Sequence, residues 1–178
     1  MPVFLVGFMC SGKSRIGREL AQRMGWRHID IDRVIEQRIG PITAWFQKNG
    51  EEAFRDLEKK VLTELLTTER AVISTGGGTP MEGDNMQRML AAGTVVYLDV
   101  PFDELLPRVE QKGGDRPLLF GLKGEPLRAR VVELLSSRSP IYQRAHMRVR
   151  ASGEPQTIAE RIQQGLEGES GPRAAQER

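Results

Sequence analysis

The sequence predicts an α/β fold in which helices cover a parallel β-sheet. Five short apolar runs alternate with longer segments of helical spacing, and the first run leads directly into the glycine-containing stretch GFMCSGKS. Strands connected by helices form parallel sheets with both faces covered. A chain of 178 residues with 39% hydrophobic content can bury one core of ordinary size. We therefore expect a single domain over residues 1–167.

The strands are expected at the apolar runs, which cover residues 3–6, 28–31, 71–74, 94–98 and 147–149. Helices are indicated where apolar residues recur four positions apart while Arg and Glu occupy the other faces. This pattern occurs first at Ile16, Leu20 and Met24, and again at Leu57, Val61 and Leu65. The alternation of the two periods along the chain predicts strand-helix-strand connections.

Three segments depart from this alternation. Residues 32–70 are an insertion between the second and third strands, where we expect two or three helices with breaks at Gly40-Pro41 and Asn49-Gly50. The stretch KGGDRPLLFGLKGEP mixes glycine, charged and apolar residues, and we expect residues 110–126 to form a mobile lid. Gly, Ser, Ala and charged residues dominate residues 168–178, which predicts a disordered tail.

The charge distribution argues against several classes of function. Lys and Arg total 26 against 24 for Asp and Glu, and the two signs are interspersed, so the basic stripe of a nucleic-acid-binding protein is missing. No apolar run is long enough to span a bilayer. Cys10 is the single cysteine and cannot form an internal disulfide, and residues 1–25 lack the features of a secretory signal. We expect a cytoplasmic monomer without nucleic-acid or membrane partners.

Gly7, Gly12, Lys13 and Ser14 match the pattern G-x-x-x-x-G-K-[ST] of a phosphate-binding loop, or P-loop. The predicted strand ends at Val6 and a helix begins directly after the loop, so backbone N–H groups and the positive helix end point at one anion. Lys13 can then reach the β- and γ-phosphates, and the Ser14 hydroxyl can ligate Mg²⁺. The alternative is a glycine-rich turn that binds nothing. The combination favours a nucleoside triphosphate, and the short insertion and lid favour transfer to a small acceptor.

Two carboxylates follow the second predicted strand. Asp30 and Asp32 are two residues apart, which places them on one face of an extended segment at the ligand-binding edge of the sheet. One can hold Mg²⁺ through water, and the other can orient or deprotonate an attacking hydroxyl. The alternative is that Asp32 caps a helix that starts near Arg33.

Two further segments carry candidate ligand-binding residues. Arg55 and Glu58 are three residues apart on one helical face, and the alternative is a solvated surface ion pair. Three glycines follow the third predicted strand, and they either let backbone amides approach a ligand or form a flexible loop. Their place at the ligand-binding edge favours the first interpretation for Gly76, Gly77 and Gly78.

The sequence resembles shikimate kinase from residue 3 to about residue 150. The resemblance rests on six segments in the family's order and approximate spacing: GFMCSGKS, DIDRVIEQRIG, GEEAFRDLE, STGGG, DRPLL and SRSPIY. It implies a P-loop kinase fold with a five-stranded parallel sheet in the order 2-3-1-4-5, flanked by helices, with a small substrate-binding insertion and a lid. It also implies ATP-dependent phosphorylation of the shikimate 3-hydroxyl with Mg²⁺ in aromatic amino-acid biosynthesis, giving shikimate 3-phosphate and ADP.

The resemblance implies roles for individual residues. Asp30 and Ser14 would hold the metal, and Asp32 would bind the ring hydroxyls as the candidate base. The shikimate site would consist of Asp32, Arg55, Gly76, Gly77, Gly78 and Arg138, with the two arginines on the carboxylate. Lys13 and the lid residue Arg116 would act on the phosphoryl group. The full nucleotide-binding set would be Met9, Cys10, Ser11, Gly12, Lys13, Ser14, Arg15, Arg108 and Arg116, with Arg108 near the adenine.

Cys10 stands where the family usually has glycine. We interpret it as a tolerated replacement, which implies that this position does not require a positive φ. Neither His28 nor His146 lies in a motif that ties it to Cys10, so catalysis by the thiol is not expected.

Two alternatives to the shikimate kinase interpretation stay open. One is a related small-molecule kinase of the same fold, such as a gluconate kinase, because the fold alone does not determine the acceptor. The other is a catalytically silent nucleotide-binding module. The presence of Lys13, Ser14, Asp30, Asp32 and Arg116 disfavours the silent module.

Overall fold

The central sheet contains five strands: β1 (Val3–Val6), β2 (Arg27–Asp30), β3 (Ala71–Ser74), β4 (Thr94–Asp99) and β5 (Met147–Arg150). The computed structural model describes residues 1–169. All four strand pairs are parallel and the order is β2-β3-β1-β4-β5, which confirms the order that the resemblance implies. β1 and β3 are buried along their whole length, as expected for the centre of a sheet covered on both faces.

Seven helices surround the sheet in the described part of the chain: α1 (Lys13–Met24), α2 (Ile31–Ile39), α3 (Ile42–Leu65), α4 (Asn85–Ala92), α5 (Phe102–Lys112), α6 (Gly124–Tyr142) and α7 (Pro155–Glu169). Helix α1 packs against α7 and against strands β2 and β3. None of these helices is long and apolar enough to cross a membrane. Short 3₁₀ turns occur at Thr79–Met81 and Pro117–Leu119.

The junction between β2 and α2 differs from the prediction. Asp30 is the N-cap of α2, and its carboxylate accepts a hydrogen bond of 3.4 Å from the backbone N–H of Arg33. The strand therefore ends at Asp30, and Ile31 is already helical. The capping role considered for Asp32 is wrong, because Asp32 lies in the first helical turn. The two carboxylates do not share an extended segment.

The insertion between β2 and β3 has the predicted breaks. Helix α2 ends before Gly40, which has a φ of 79°. Helix α3 changes direction at Gly50, which has a φ of 86° and a ψ of 169°. These backbone angles are in regions that residues with a Cβ rarely adopt, so the two glycines turn one helical segment into three.

The irregular part of the predicted lid is shorter than expected. Helix α5 extends to Lys112 and α6 begins at Gly124, so residues 113–123 connect them. At the carboxyl end, Gly168 and Glu169 belong to α7 and not to the predicted tail. The rest of that tail, residues 170–178, lies outside the described residues.

Candidate active site

The P-loop presents an open helix end. Helix α1 begins at Lys13, and its N-cap residue Gly12 has a φ of 93° and supplies no side-chain cap. Since the first N–H groups of a helix have no partners within it, those of α1 are free to bind an anion, and the helix dipole favours negative charge there. At Gly7, a Cβ would lie 2.8 Å from the Leu98 carbonyl oxygen, so glycine lets the loop start close to β4.

The ammonium group of Lys13 forms hydrogen bonds within the P-loop. Its Nζ donates hydrogen bonds of 2.8 Å to the carbonyl oxygens of both Gly7 and Phe8. The residue is 8% exposed. The pKa of Lys13 is lowered to about 8, chiefly by burial; the Asp32 carboxylate opposes this shift and the charge of Arg116 adds to it. A bound phosphate would supply the negative charge that this buried cation lacks.

We expect a pH dependence of nucleotide use that follows from Lys13. Above about pH 8 the free protein holds Lys13 as a neutral amine, which attracts phosphate weakly. The kcat/KM for ATP should therefore fall as the pH rises through 8, approaching about tenfold per pH unit. In a Lys13→Arg variant the guanidinium keeps its charge throughout this range, so this alkaline loss should disappear. An unchanged alkaline loss in that variant would assign it to another group.

Ser14 and Asp30 form a pair at the end of the loop. The Ser14 hydroxyl donates a hydrogen bond to Asp30 Oδ2, and both side chains line the cleft described below. A hydroxyl and a carboxylate are the oxygen ligands that Mg²⁺ prefers, and this ion completes its octahedron with water and phosphate oxygens. No group of three or more metal-ligating side chains is present among residues 1–169. The pair fits a metal that is shared with a triphosphate.

A hydrogen-bonded pair behind the P-loop was missed by the sequence analysis. Ser74 Oγ donates a 2.9 Å hydrogen bond to the carbonyl oxygen of Lys13. His28 Nε2 lies 2.9 Å from the same Oγ, and it must be the donor because the hydroxyl has only one proton. A Cβ on Gly17 would lie 2.6 Å from Ser74 Oγ, so this glycine leaves room for the pair. The pair ties α1 to β2 and β3.

Asp32 faces the lid arginine. Arg116 Nη1 lies 3.4 Å from Asp32 Oδ2. Burial raises the pKa of the Asp32 carboxyl, and the charges of Arg116 and Lys13 oppose this rise. The lid is also tied to the insertion, because the Thr43 hydroxyl donates a hydrogen bond to the Asp115 carbonyl oxygen. In this conformation the lid therefore contacts the segment expected to bind the acceptor.

Arg55 and Glu58 form an ion pair that is largely withdrawn from solvent. Their side chains are 11% and 1% exposed, so the solvated surface pair considered as an alternative is excluded. Glu58 also accepts a 2.8 Å hydrogen bond from Thr79 Oγ1. Burial raises the pKa of Glu58 while Arg55 opposes the rise. Because a buried carboxylate with two donors holds its partner in place, Glu58 and Thr79 orient the Arg55 guanidinium.

The glycines after β3 provide space for charged side chains. A Cβ on Gly78 would lie 2.5 Å from Arg55 Nη1, and one on Gly76 would lie 2.6 Å from Glu58 Oε1. A Cβ on Gly77 would lie 3.2 Å from Arg138 Nη1. None of the three has a positive φ, so their role here is close approach of side chains.

Arg138 is a buried cation without an acidic partner. The residue is 6% exposed, and its guanidinium carbon lies 5.8 Å from the centre of the Phe8 ring. Among residues 1–169, no carboxylate lies within ion-pair distance of Arg138. A charge withdrawn from water is costly unless it is paired, so this arginine favours an anionic ligand.

Most of these side chains meet in a cleft of about 840 Å³, although Cys10, Ser11, Gly12 and Lys13 are not among its walls. The predicted site residues among its walls are Met9, Ser14, Asp30, Asp32, Arg55, Gly76, Gly77, Gly78, Arg116 and Arg138. Arg15 is an exposed residue of α1 and does not line it. Arg108 is also outside, on α5, where it pairs with Glu104 at 3.5 Å. The nucleotide contacts expected of Arg15 and Arg108 stay predictions.

Cys10 adopts a left-handed backbone conformation, contrary to the prediction for this position. Its φ is 61°, in the left-handed region that glycine adopts without a penalty. The statement that this position does not require a positive φ is therefore wrong. The side chain is partly buried and packs against the core, so the loop retains a glycine-like backbone with a thiol attached.

We expect the left-handed backbone at Cys10 to have a measurable effect on stability. Cys10→Gly and Cys10→Ala both remove the thiol, but only glycine relieves the left-handed backbone. The glycine variant should have a free energy of unfolding about 1 kcal/mol above that of the alanine variant. Urea unfolding of the two proteins measures this difference, and equal stabilities would contradict the backbone explanation.

The fold and the site together define the chain as a P-loop kinase of a small anionic molecule. The P-loop with Lys13 and the Ser14–Asp30 pair offers an open helix end, a cation and two oxygen ligands, which suit a phosphate group and its metal. Asp32, Arg55 and Arg138 line a cleft of small-molecule size.

Comparisons with known proteins identify the family within this class. A family model described as shikimate kinase matches residues 9–167. The chain is 46% identical over 144 residues to the shikimate kinase of Parabacteroides distasonis, across 80% of this chain and 83% of the relative. It is 44% identical over 162 residues to that of Gloeobacter violaceus, across 89% and 88%. The chain belongs to the shikimate kinase family.

Solved structures agree with this assignment. Shikimate kinase from Acinetobacter baumannii in complex with shikimate has a TM-score of 0.88 to this chain at 33% identity, covering 96% of this chain and 95% of that one. Shikimate kinase from Bacteroides thetaiotaomicron has a TM-score of 0.86 at 34% identity, covering 94% and 98%. Shared architecture extends over almost the whole of each chain.

Proposed function

We propose that this protein phosphorylates the 3-hydroxyl of shikimate with ATP, producing shikimate 3-phosphate and ADP in aromatic amino-acid biosynthesis. The observation that carries the proposal is Arg138, a buried guanidinium in the cleft wall with no acidic partner within residues 1–169. The substrate carboxylate supplies the missing negative charge. Membership of the shikimate kinase family supports shikimate as the acid.

The acceptor is positioned by groups on two sides of the cleft. Arg55, held by Glu58, and Arg138 bind the carboxylate of shikimate, while Asp32 binds the ring hydroxyls and directs the 3-hydroxyl at the γ-phosphate. The raised pKa of Asp32 makes it a better proton acceptor than an exposed aspartate. Gly76, Gly77 and Gly78 leave the room that these side chains need.

The phosphoryl group is stabilised by cations and backbone donors. Lys13 leaves the loop carbonyls and contacts the phosphates, while Arg116 leaves Asp32 and contacts the transferring group as the lid closes. Met9, Cys10, Ser11, Gly12, Arg15 and Arg108 complete the proposed nucleotide contacts. Closure excludes water, which would otherwise accept the phosphoryl group.

Mg²⁺ belongs to the same proposal. The oxygen ligands of Ser14 and Asp30 fit this ion. When bound there it would neutralise charge on the triphosphate. Removal of divalent cations with a chelator should therefore abolish turnover and leave shikimate binding largely intact.

A cytoplasmic monomer completes the proposal. The single Cys10 suits a reducing compartment, and both substrates are small molecules of the cytosol in this scheme. Sedimentation of the purified protein, with and without substrates, measures the oligomeric state.

The proposed reaction can be tested directly against the alternatives. Purified protein is incubated with ATP and Mg²⁺ and with shikimate, gluconate or nucleoside monophosphates, and ADP release is measured. Turnover above the blank is expected with shikimate. Turnover with gluconate alone would identify a kinase of another acid, and absence of turnover with every acceptor would favour the silent nucleotide-binding module.

The charge requirement gives a second test. Shikimate methyl ester keeps the hydroxyls but has no anion for Arg138. We expect its kcat/KM to be at least a hundredfold lower, because a buried charge pair is lost. Equal use of acid and ester would remove the observation on which the proposal rests.

A further inference from the structure

Tyr142 is a buried polar residue with no role so far. It is the last residue of α6 and is 0% exposed. Its hydroxyl donates a 2.6 Å hydrogen bond to the carbonyl oxygen of Gly77. A phenylalanine would pack equally well in an apolar core, so the hydroxyl is needed for what it binds.

Gly77, whose carbonyl oxygen accepts the hydrogen bond from Tyr142, lies next to Arg138. Arg138 and Tyr142 are four residues apart and therefore neighbours on one face of α6. The charge of Arg138 opposes the effect of burial on the pKa of the Tyr142 phenol. Arg138 Nη1 lies 3.2 Å from the place where Gly77 would carry a Cβ. Tyr142, Gly77 and Arg138 therefore lie next to one another.

A second aromatic ring limits the movement of the Tyr142 side chain. Tyr142 stacks on Tyr97 of β4, with ring centres 5.2 Å apart and planes inclined by 25°. The Tyr97 hydroxyl donates a 3.2 Å hydrogen bond to Asp99 Oδ1, and Arg148 donates to the other carboxylate oxygen. The stacking of the two rings, which a phenylalanine at position 97 would retain, leaves the Tyr142 phenol few orientations.

We propose that Tyr142 is a positioning residue for the acceptor carboxylate: its hydroxyl holds the Gly77 carbonyl, beside which the Arg138 guanidinium lies, in the arrangement that binds the anion. This inference rests on the proposed function. Burial raises the pKa of Tyr142 to about 12, so the hydroxyl remains a donor throughout the working range. A buried cation without an acidic partner needs such neutral support, because an acidic residue would compete with the substrate.

The test is the Tyr142→Phe variant assayed with shikimate and ATP. Loss of one hydrogen bond should raise the KM for shikimate about tenfold, with kcat and the KM for ATP close to the parent values. Tyr97→Phe is the matched control, because it removes a phenol hydroxyl from the same stack but leaves Gly77 and Arg138 untouched. Its KM for shikimate should be unchanged. A parent-like KM in Tyr142→Phe overturns the proposal.

Two further measurements separate positioning from general stability. In an Arg138→Lys background, Tyr142→Phe should have little additional effect on the KM for shikimate, because the guanidinium it positions is gone. Full additivity of the two changes would contradict the proposal.

Gly77→Ala keeps the proposal testable even if Tyr142→Phe does not fold. Its methyl would lie 3.2 Å from Arg138 Nη1 and 3.2 Å from the backbone nitrogen of Met9 in the P-loop, so the KM for ATP is measured beside the KM for shikimate. The added methyl should raise the KM for shikimate, and an unchanged KM would contradict the proposal. Failure of the parent protein to use shikimate would instead refute the proposed function.

Discussion

Replacing Lys13 with methionine is expected to lower kcat about a thousandfold and leave a folded protein. In the free protein the ammonium is buried and contacts only the loop, with donation to the carbonyl oxygens of Gly7 and Phe8. In the proposed reaction, phosphate oxygens replace those carbonyls and gain negative charge in the transition state, where the charge of Lys13 stabilises them. A thousandfold loss corresponds to about 4 kcal/mol of barrier.

The folded state should tolerate this replacement. Burial lowers the pKa of Lys13 to about 8, which means that holding the charged form in the loop is unfavourable without a ligand. Methionine has a similar length and no charge. The thermal midpoint and the far-UV circular dichroism spectrum should therefore stay close to those of the parent.

Steady-state kinetics with both substrates varied measure the catalytic effect. Lys48→Met is the matched control, because it removes the same charge from an exposed position of α3. The control should retain parent activity. Near-normal kcat in Lys13→Met, with the control equally active, would mean that the loop does not act on the transferring phosphate.

The features that the sequence predicts well are those whose causes lie close together in the chain. Residues 3–24 contain an apolar strand, a loop with glycines at the two ends and a helix with apolar residues four apart. Each of these depends on neighbours within a few residues. The breaks at Gly40 and Gly50 are predictable for the same reason. The strand order depends on distant pairing, and only the resemblance implied it.

For Asp30 and Asp32, the sequence predicts the correct site residues but the wrong backbone structure around them. Residue type and spacing identified Asp30 and Asp32 as site residues, and both line the cleft. Either could have capped α2. The structure selects Asp30, whose carboxylate receives both the Arg33 N–H and the Ser14 hydroxyl. Ser14 is sixteen residues away, beyond the reach of a local pattern.

Side chains whose partners are remote could not be assigned from the sequence. Tyr142 and Gly77 are 65 residues apart, and His28 and Ser74 are 46 apart. The three glycines after β3 are evident in the sequence. The reason that these positions need glycine is the space occupied by the side chains of Arg55, Glu58 and Arg138, which the sequence does not show. These contacts between residues that are distant in the sequence can be recognised only from the folded structure.

Replacing Arg116 with methionine is expected to lower kcat by about a thousandfold, and also to shift the pH profile. In the structure Arg116 Nη1 is 3.4 Å from Asp32 Oδ2, whereas in the proposed closed state it contacts the phosphoryl group. The kcat effect reports the loss of a cation from the transition state. The KM for shikimate should change much less, because its carboxylate is bound elsewhere.

The direction of the pH shift follows from the charges around Asp32. Burial raises the pKa of this carboxyl, and the charge of Arg116 is the largest of the influences that hold it down. Without that charge the pKa of Asp32 rises further, so Asp32 loses its proton only at higher pH. The acid side of the kcat/KM profile for shikimate should therefore move to higher pH in Arg116→Met.

Arg116→Lys separates the two effects. The ammonium keeps a positive charge near Asp32 but lacks the planar fork that binds phosphate oxygens in pairs. We expect the acid side of its profile to stay near the parent position while kcat remains reduced. If Arg116→Met lost activity with no shift of the profile, the ion pair with Asp32 would have no influence on the proton that limits the reaction. The lid arginine would then act on the phosphoryl group alone.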